Sequence, residues 1–220
     1  LNAAGRLDDM SLGIACLLSN EKNEAKNLAE QLHLLNQERR EIEASMQDEA
    51  MIVIKKLENN QQKHLPFGIC LFDETWHQGV IGILASRIKE KYNRPAVIFA
   101  AHDNKTLKGS CRSVKGFHIR DGLDAIATKN PGLIEKFGGH AMAAGLSIDK
   151  ANLTQFSELF DLEVQQFLDE QALQGVIESD GELAADELNL NVASLIKNAG
   201  PWGQGFPEPV FDGIFDIIEK

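Results

Sequence analysis

Cysteine is scarce in these 220 residues: Cys16, Cys70 and Cys111 are odd in number and far apart. That excludes a disulfide framework or a zinc-ribbon spacing, and the thiols are expected to stay reduced, as in a cytoplasm. No run approaches the roughly 20 consecutive apolar residues that a bilayer-spanning helix needs. No basic-then-apolar leader opens the chain either, so a soluble, cytoplasmic protein with no membrane partner is expected. The chain begins at Leu1, without an initiator Met, inside a Gly-Arg-Leu-Asp-Asp turn pattern, which reads as an internal piece of something longer. Walker-loop and dinucleotide-binding spacings are missing, as are internal repeats and low-complexity tracts. No Asp and His cluster shows metal-ligand spacing, so no metal site is expected within the chain.

What is present suits one or two compact units, since 43% of the residues are apolar and 25% charged, enough to bury a core. The net charge of −11 argues at first against a polyanionic partner, because such binding releases counterions from phosphates onto Lys and Arg. Its distribution argues the other way. Residues 86–120 hold nine basic side chains against Glu90 and Asp103, whereas residues 149–220 hold fifteen acidic against three basic. Such asymmetry can focus a strand onto one face, although charge runs also decorate solvated helices.

Periodicity sets the organisation. Residues 22–59 contain neither Gly nor Pro, and Leu28, Leu32, Leu35, Ile42, Met46, Val53 and Leu57 recur at helical spacing, which predicts one helix about 55 Å long at about 1.5 Å per residue. After Pro66, strands are expected at 67–72, 95–101 and 108–113, with helices at 80–92 and 121–129. An Ala-rich stretch after Gly138-Gly139 reads as the start of another helix, followed by a strand at 146–148 and a helix at 152–173. Further on, 176–183 and 211–218 read as strands around a helix at 188–198. The fold class is α/β, a mixed sheet flanked by helices and preceded by a long connecting helix.

Three Gly-marked segments hold the chemistry. In Trp76-His77-Gln78-Gly79, helix-start N–H groups favour an anion and Trp76 offers a face for a stacked base, or else Trp76 is a core plug. In 108–120, Ser110 and Arg112 alternate onto one strand face, where a hydroxyl and a guanidinium can grip one phosphate; Lys115 and His118 stand nearby. The same alternation suits an amphipathic edge strand. In Phe137-Gly138-Gly139-His140, two glycines let N–H groups converge on an anion, and His140 can donate to a phosphoryl oxygen or exchange a proton, although a tight turn with a structural His reads equally.

These segments, in this order, resemble the RecJ family of DHH phosphoesterases. Leu1 to Leu7 is similar to the motif that closes a DHH domain, Trp76 to Arg87 and Gly109 to Asp121 to the body of a DHHA1 domain, and Gly138-Gly139-His140 to its signature. Gly200-Pro201-Trp202 through Pro209 resembles the approach to the family's OB-fold. The resemblance implies residues 1–20 as the end of a DHH domain, 21–62 as a connecting helix, 65–175 as the DHHA1 domain and 176–220 as a lead into the OB-fold. It implies stepwise 5′-to-3′ hydrolysis of single-stranded DNA in repair and recombination, with Mn²⁺ or Mg²⁺ held by DHH residues outside this chain and none within it, which predicts that this chain alone hydrolyses nothing. By the same resemblance Arg6, Ser110, Arg112, Gly138, Gly139 and His140 contact the nucleic acid, with His140 the catalytic candidate and Trp76, His77, Lys115 and His118 in support. Single-strand-binding protein and a helicase are the implied partners. Two other readings stand beside it: a DHH phosphodiesterase of short oligonucleotides or cyclic dinucleotides, and a non-catalytic RNA-binding or association module.

Overall fold

A five-stranded mixed sheet organises the first of two units, which spans Leu1–Gln174; the second spans Gly175–Lys220. The computed structural model describes residues 1–60, 65–176, 178–203 and 205–216. A 39-residue helix, α1 (Lys22–Asn60), forms as its composition requires, and short helices at Ala4–Leu7 and Ser11–Leu18 precede it. Strands β1 (Ile69–Phe72) and β2 (Ala96–Ala101) are parallel, and β3 (Thr106–Arg112), β4 (Lys136–Gly139) and β5 (Ala143–Asp149) add antiparallel in the order β1-β2-β3-β5-β4. Parallel neighbours need a crossover, and helix α2 (Ile81–Tyr92) supplies it between β1 and β2.

Burial explains which strand sequences alternate. On one face, α3 (Ile119–Lys129) and α4 (Leu153–Gln165) pack Leu123, Ile126, Phe156 and Phe160 onto Val97, Phe99, Leu107, Cys111, Leu146 and Ile148. On the other face, α2 and the long helix α1 cover Ile69, Leu71, Ala96, Ile98 and Ala100 with Leu84, Ile88, Met46, Ala50 and Ile54. Strands β1 and β2 are therefore covered on both sides and read as continuous apolar runs. Strands β3 and β5 both follow a strict alternation of buried and more exposed residues, so their second face is left largely uncovered.

The stretch after Gly138-Gly139 is a hairpin, not the expected helix. Gly139 sits at φ 145°, outside helical space, and Ala144, Leu146 and Ile148 bury on one side at a period of two. The helix expected at 152–173 ends at Gln165; beyond it Leu168 and Leu173 fold back onto the core. In the second unit the helix Leu190–Ala199 forms, capped by Asn189 through the amides of Asn191 and Val192. The strands expected at 176–183 and 211–218 do not form among the described residues; positions 177, 217 and 218 lie outside these. The first segment makes single backbone bonds, Asp180 N–H to Val210 O at 2.7 Å just before the second and Asp212 N–H to Gly181 O at 3.2 Å within it, too few for a ladder.

Candidate nucleic-acid interface

The uncovered sheet face is built from alternate residues of β3, β5 and β4, and the register aligns them in rows. Ser110 pairs with Gly145, which pairs with Gly138. Two residues along, Arg112 pairs with Ala143, whose carbonyl accepts from the His140 amide at 2.8 Å. In the other direction Lys108 pairs with Ser147, which pairs with Lys136. Gly138, Gly145, Lys108 and Lys136 are exposed and Ser110, Arg112 and Ser147 half-buried.

Arg112 is held in place before any ligand arrives. Its Nε donates to Ser86 Oγ of α2 at 3.1 Å, and Nη1 donates to Ser110 Oγ at 3.3 Å and to the Cys111 carbonyl at 2.8 Å. Helix α2 comes this close because residue 82 is Gly: a Cβ there would stand 3.1 Å from Ser110 Oγ and 3.2 Å from Arg112 Nη2. Among the described residues no carboxylate lies within ion-pair distance of Arg112, Lys108 or Lys136. A guanidinium oriented by hydroxyls and a carbonyl, and paired with no carboxylate of the described residues, suits a phosphate oxygen.

The glycines divide by role. Gly139 is required by the hairpin, since φ 145° and a Cβ that would run into the Ala143 carbonyl both exclude other residues. Gly138 has a negative φ and open space where a Cβ would stand, and a Cβ on Gly145 would meet only Gly109 O at 3.7 Å. Neither is demanded by packing, although a glycine weakens a strand; such positions mark close approach of a ligand or another backbone.

The structure places the remaining candidates apart from that face or in supporting roles. Trp76 is not a stacking platform: it is 3% exposed, and its indole N–H donates to Glu49 of α1 at 2.9 Å. His77 is exposed and its Nδ1 accepts from the Gly79 amide at 3.1 Å, which fixes the proton of the neutral ring on Nε2. Arg6, in the short helix Ala4–Leu7, reaches that turn, its Nη1 donating to Gly79 O at 3.4 Å; Gly79 stands three residues before Gly82, the glycine that abuts Arg112. His118 caps α3 by accepting from the Asp121 amide, and Lys115 is exposed in the loop before it. That loop holds the hairpin tip, through Ser113 N–H to Met142 O and Ile119 N–H to Ala141 O, both at 3.0 Å. Cys111 points into the core, where burial pushes its thiol far above the ordinary range, so it is no nucleophile. Ser86, Lys108, Lys136, Gly145 and Ser147 are additions to the sequence-derived set; the period-two pattern of 143–149 carries a signal for two of them. Among the described residues no group of three or more His, Cys, Asp or Glu could hold a metal ion.

Residues 65–166 match the DHHA1 domain model and residues 179–219 the RecJ OB domain model. All 220 residues align at 53% identity with the single-stranded-DNA-specific exonuclease RecJ of Haemophilus influenzae. The chain belongs to the RecJ family. The corresponding protein of Escherichia coli is 51% identical over the same span, and the chain covers 38% of the length of each of these two relatives. The crystal structure of RecJ from Thermus thermophilus in complex with Mg²⁺ matches 96% of this chain and 31% of its own length, at a TM-score of 0.78 and 29% identity. A second crystal structure of that protein, with Mn²⁺, matches equally well. The family membership accounts for the α/β architecture and for the order of the Gly-marked segments.

Proposed function

We propose that this chain supplies the DNA-holding half of a 5′-to-3′ single-stranded-DNA exonuclease, with the uncovered sheet face opposing a divalent-metal site of DHH type. The observation that carries the reading is the Arg112 guanidinium, pre-oriented by Ser86 and Ser110 and without a carboxylate partner among the described residues, beside a floor of dispensable glycines. Ser110 and Arg112 take the terminal 5′-phosphate. Gly138, with no side chain above it, lets the next sugar-phosphate lie against the strand, and His140 at the hairpin end donates to a phosphoryl oxygen. Arg6 contacts a further phosphate beside the turn at Gly79. Metal ions would activate water and stabilise the transition state, but the described residues hold no ligand set for them, so no step is assigned to a metal here. The match to the RecJ OB domain favours this reading over a dinucleotide phosphodiesterase and over a non-catalytic module.

The test compares binding of 5′-phosphorylated and 5′-hydroxyl oligonucleotides to the 220-residue chain. A charge-assisted hydrogen bond is worth roughly 1.5 to 3 kcal/mol, so Arg112→Ala is expected to lower the preference for the phosphorylated end about tenfold to a hundredfold. No preference in the unsubstituted chain, or equal weakening toward both ends, would place Arg112 outside a 5′-phosphate pocket.

A further inference from the structure

The third row of the uncovered face has no role in the reading above. Lys108 lies on β3, Lys136 on β4, and Ser147 of β5 pairs with both. Both lysines are exposed, and neither has a carboxylate within ion-pair distance among the described residues. Lysine commonly protects an edge strand from pairing with another sheet, which would explain Lys136. It does not explain Lys108, because β3 is hydrogen-bonded to β2 on one side and β5 on the other.

Between this row and the Arg112 row lies the row of Ser110, Gly145 and Gly138, where packing and backbone conformation permit side chains and the sequence has none at two of three positions. The lysines and Arg112 thus stand at opposite ends of a bare strip on one face. They are four residues apart along β3, or about 13 Å at about 3.3 Å per residue. That is a reach of about four stacked nucleotides, and fewer in a stretched strand.

Resting on the reading of Arg112 as the holder of the 5′-phosphate, we infer that Lys108 and Lys136, with the Ser147 hydroxyl between them, form a second phosphate station that takes an internal phosphate of the same single strand and sets its course along β3 and β5. The two ends of the strip then do different work. Arg112 distinguishes how the strand terminates, whereas the lysine station adds affinity for any strand long enough to reach it and cannot sense the terminus.

The experiment measures binding of a fluorescent oligothymidylate to the full 220-residue chain across a salt series, with 5′-phosphate and 5′-hydroxyl ends. For single strands the salt dependence falls by about 0.7 for each phosphate that the protein no longer neutralises, so the double substitution K108A/K136A, which leaves the station without charge, is expected to reduce the log–log slope by about that amount. The preference between the two ends should not change, and the charge-conserving pair K108R/K136R should keep the slope. In the unsubstituted chain, acetylation of Lys108 and Lys136 should slow when the strand is bound, which tests the station without any substitution. An unchanged slope in folded K108A/K136A, or undiminished acetylation in the complex, overturns the station while leaving the 5′-phosphate reading standing. No binding by the unsubstituted chain overturns both, and a change in end preference in the lysine variants moves them into the terminal pocket.

Discussion

Arg112 Nε donates to Ser86 Oγ across 3.1 Å, tying the end of β3 to the crossover helix α2. Ser86 in turn donates to the Gly82 carbonyl at 3.2 Å, so the hydroxyl is set by its own helix. Ser86 is a positioning residue on this geometry. Ser86→Ala removes both bonds, of which the one that orients Arg112 is worth about 0.5 to 1.5 kcal/mol net, and the preference for a 5′-phosphorylated end is expected to fall roughly twofold to tenfold, less than in Arg112→Ala. Equilibrium binding to the two ends checks it, with thermal melting to show that the fold is unchanged.

Gly138 and Gly139 are neighbours with opposite expected responses. At Gly139 the backbone lies where L-residues rarely go and a side chain would meet Ala143, so Gly139→Ala should destabilise the first unit by about 1 to 3 kcal/mol or more. At Gly138 nothing opposes a Cβ, and replacing a strand glycine by alanine recovers roughly 0.5 to 1 kcal/mol. Gly138→Ala should therefore melt slightly higher and bind single-stranded DNA more weakly. A loss of stability in Gly138→Ala, or unchanged DNA binding, would remove it from the interface.

Trp76 is expected to matter for stability and not for base stacking. It fills the core between β1, α2 and α1 with its N–H on Glu49, and truncation of such a side chain costs about 3 to 5 kcal/mol. Trp76→Ala should lower the denaturation midpoint accordingly, while the DNA affinity of the fraction still folded stays near that of the unsubstituted chain. Chemical denaturation followed by circular dichroism, paired with binding at low temperature, separates the two effects.

Burial raises the Cys111 thiol, and the nearby Cys70 raises it further. A raised acid stays neutral when folded but ionises once unfolded, so its contribution to stability is full below about pH 8.5 and declines as pH rises above that. Stability is expected to fall above that pH, with Cys111→Ala showing a shallower decline. In the native chain at pH 8, a thiol reagent should reach Cys111 only on the timescale of unfolding, which peptide mapping after timed labelling measures.

Element types were legible in the chain wherever period and composition agreed. The absence of Gly and Pro from 22–59 and the summed helix propensity made one long helix. The period of two placed Ser110 and Arg112 on one strand face, and the apolar runs around 67–72 and 95–101 marked strands. Those are local consequences of backbone geometry, which need no partner. The segment from Gly138 to Ala144 was not legible in this way, because its Ala content favours a helix, and the pairing of Gly139 with Ala144 and of Ala144 with Cys111 supplies the hydrogen bonds that make it a hairpin. The fate of Trp76 was decided by Glu49, 27 residues upstream. The rows of the open face were likewise decided by register between strands distant in sequence, since Lys108, Ser147 and Lys136 come together only when β3, β5 and β4 pair as they do. A one-residue slip in that pairing would turn the same side chains into the core, and the buried alternation of Leu107, Leu146 and Ile148 is the physical reason that it does not occur.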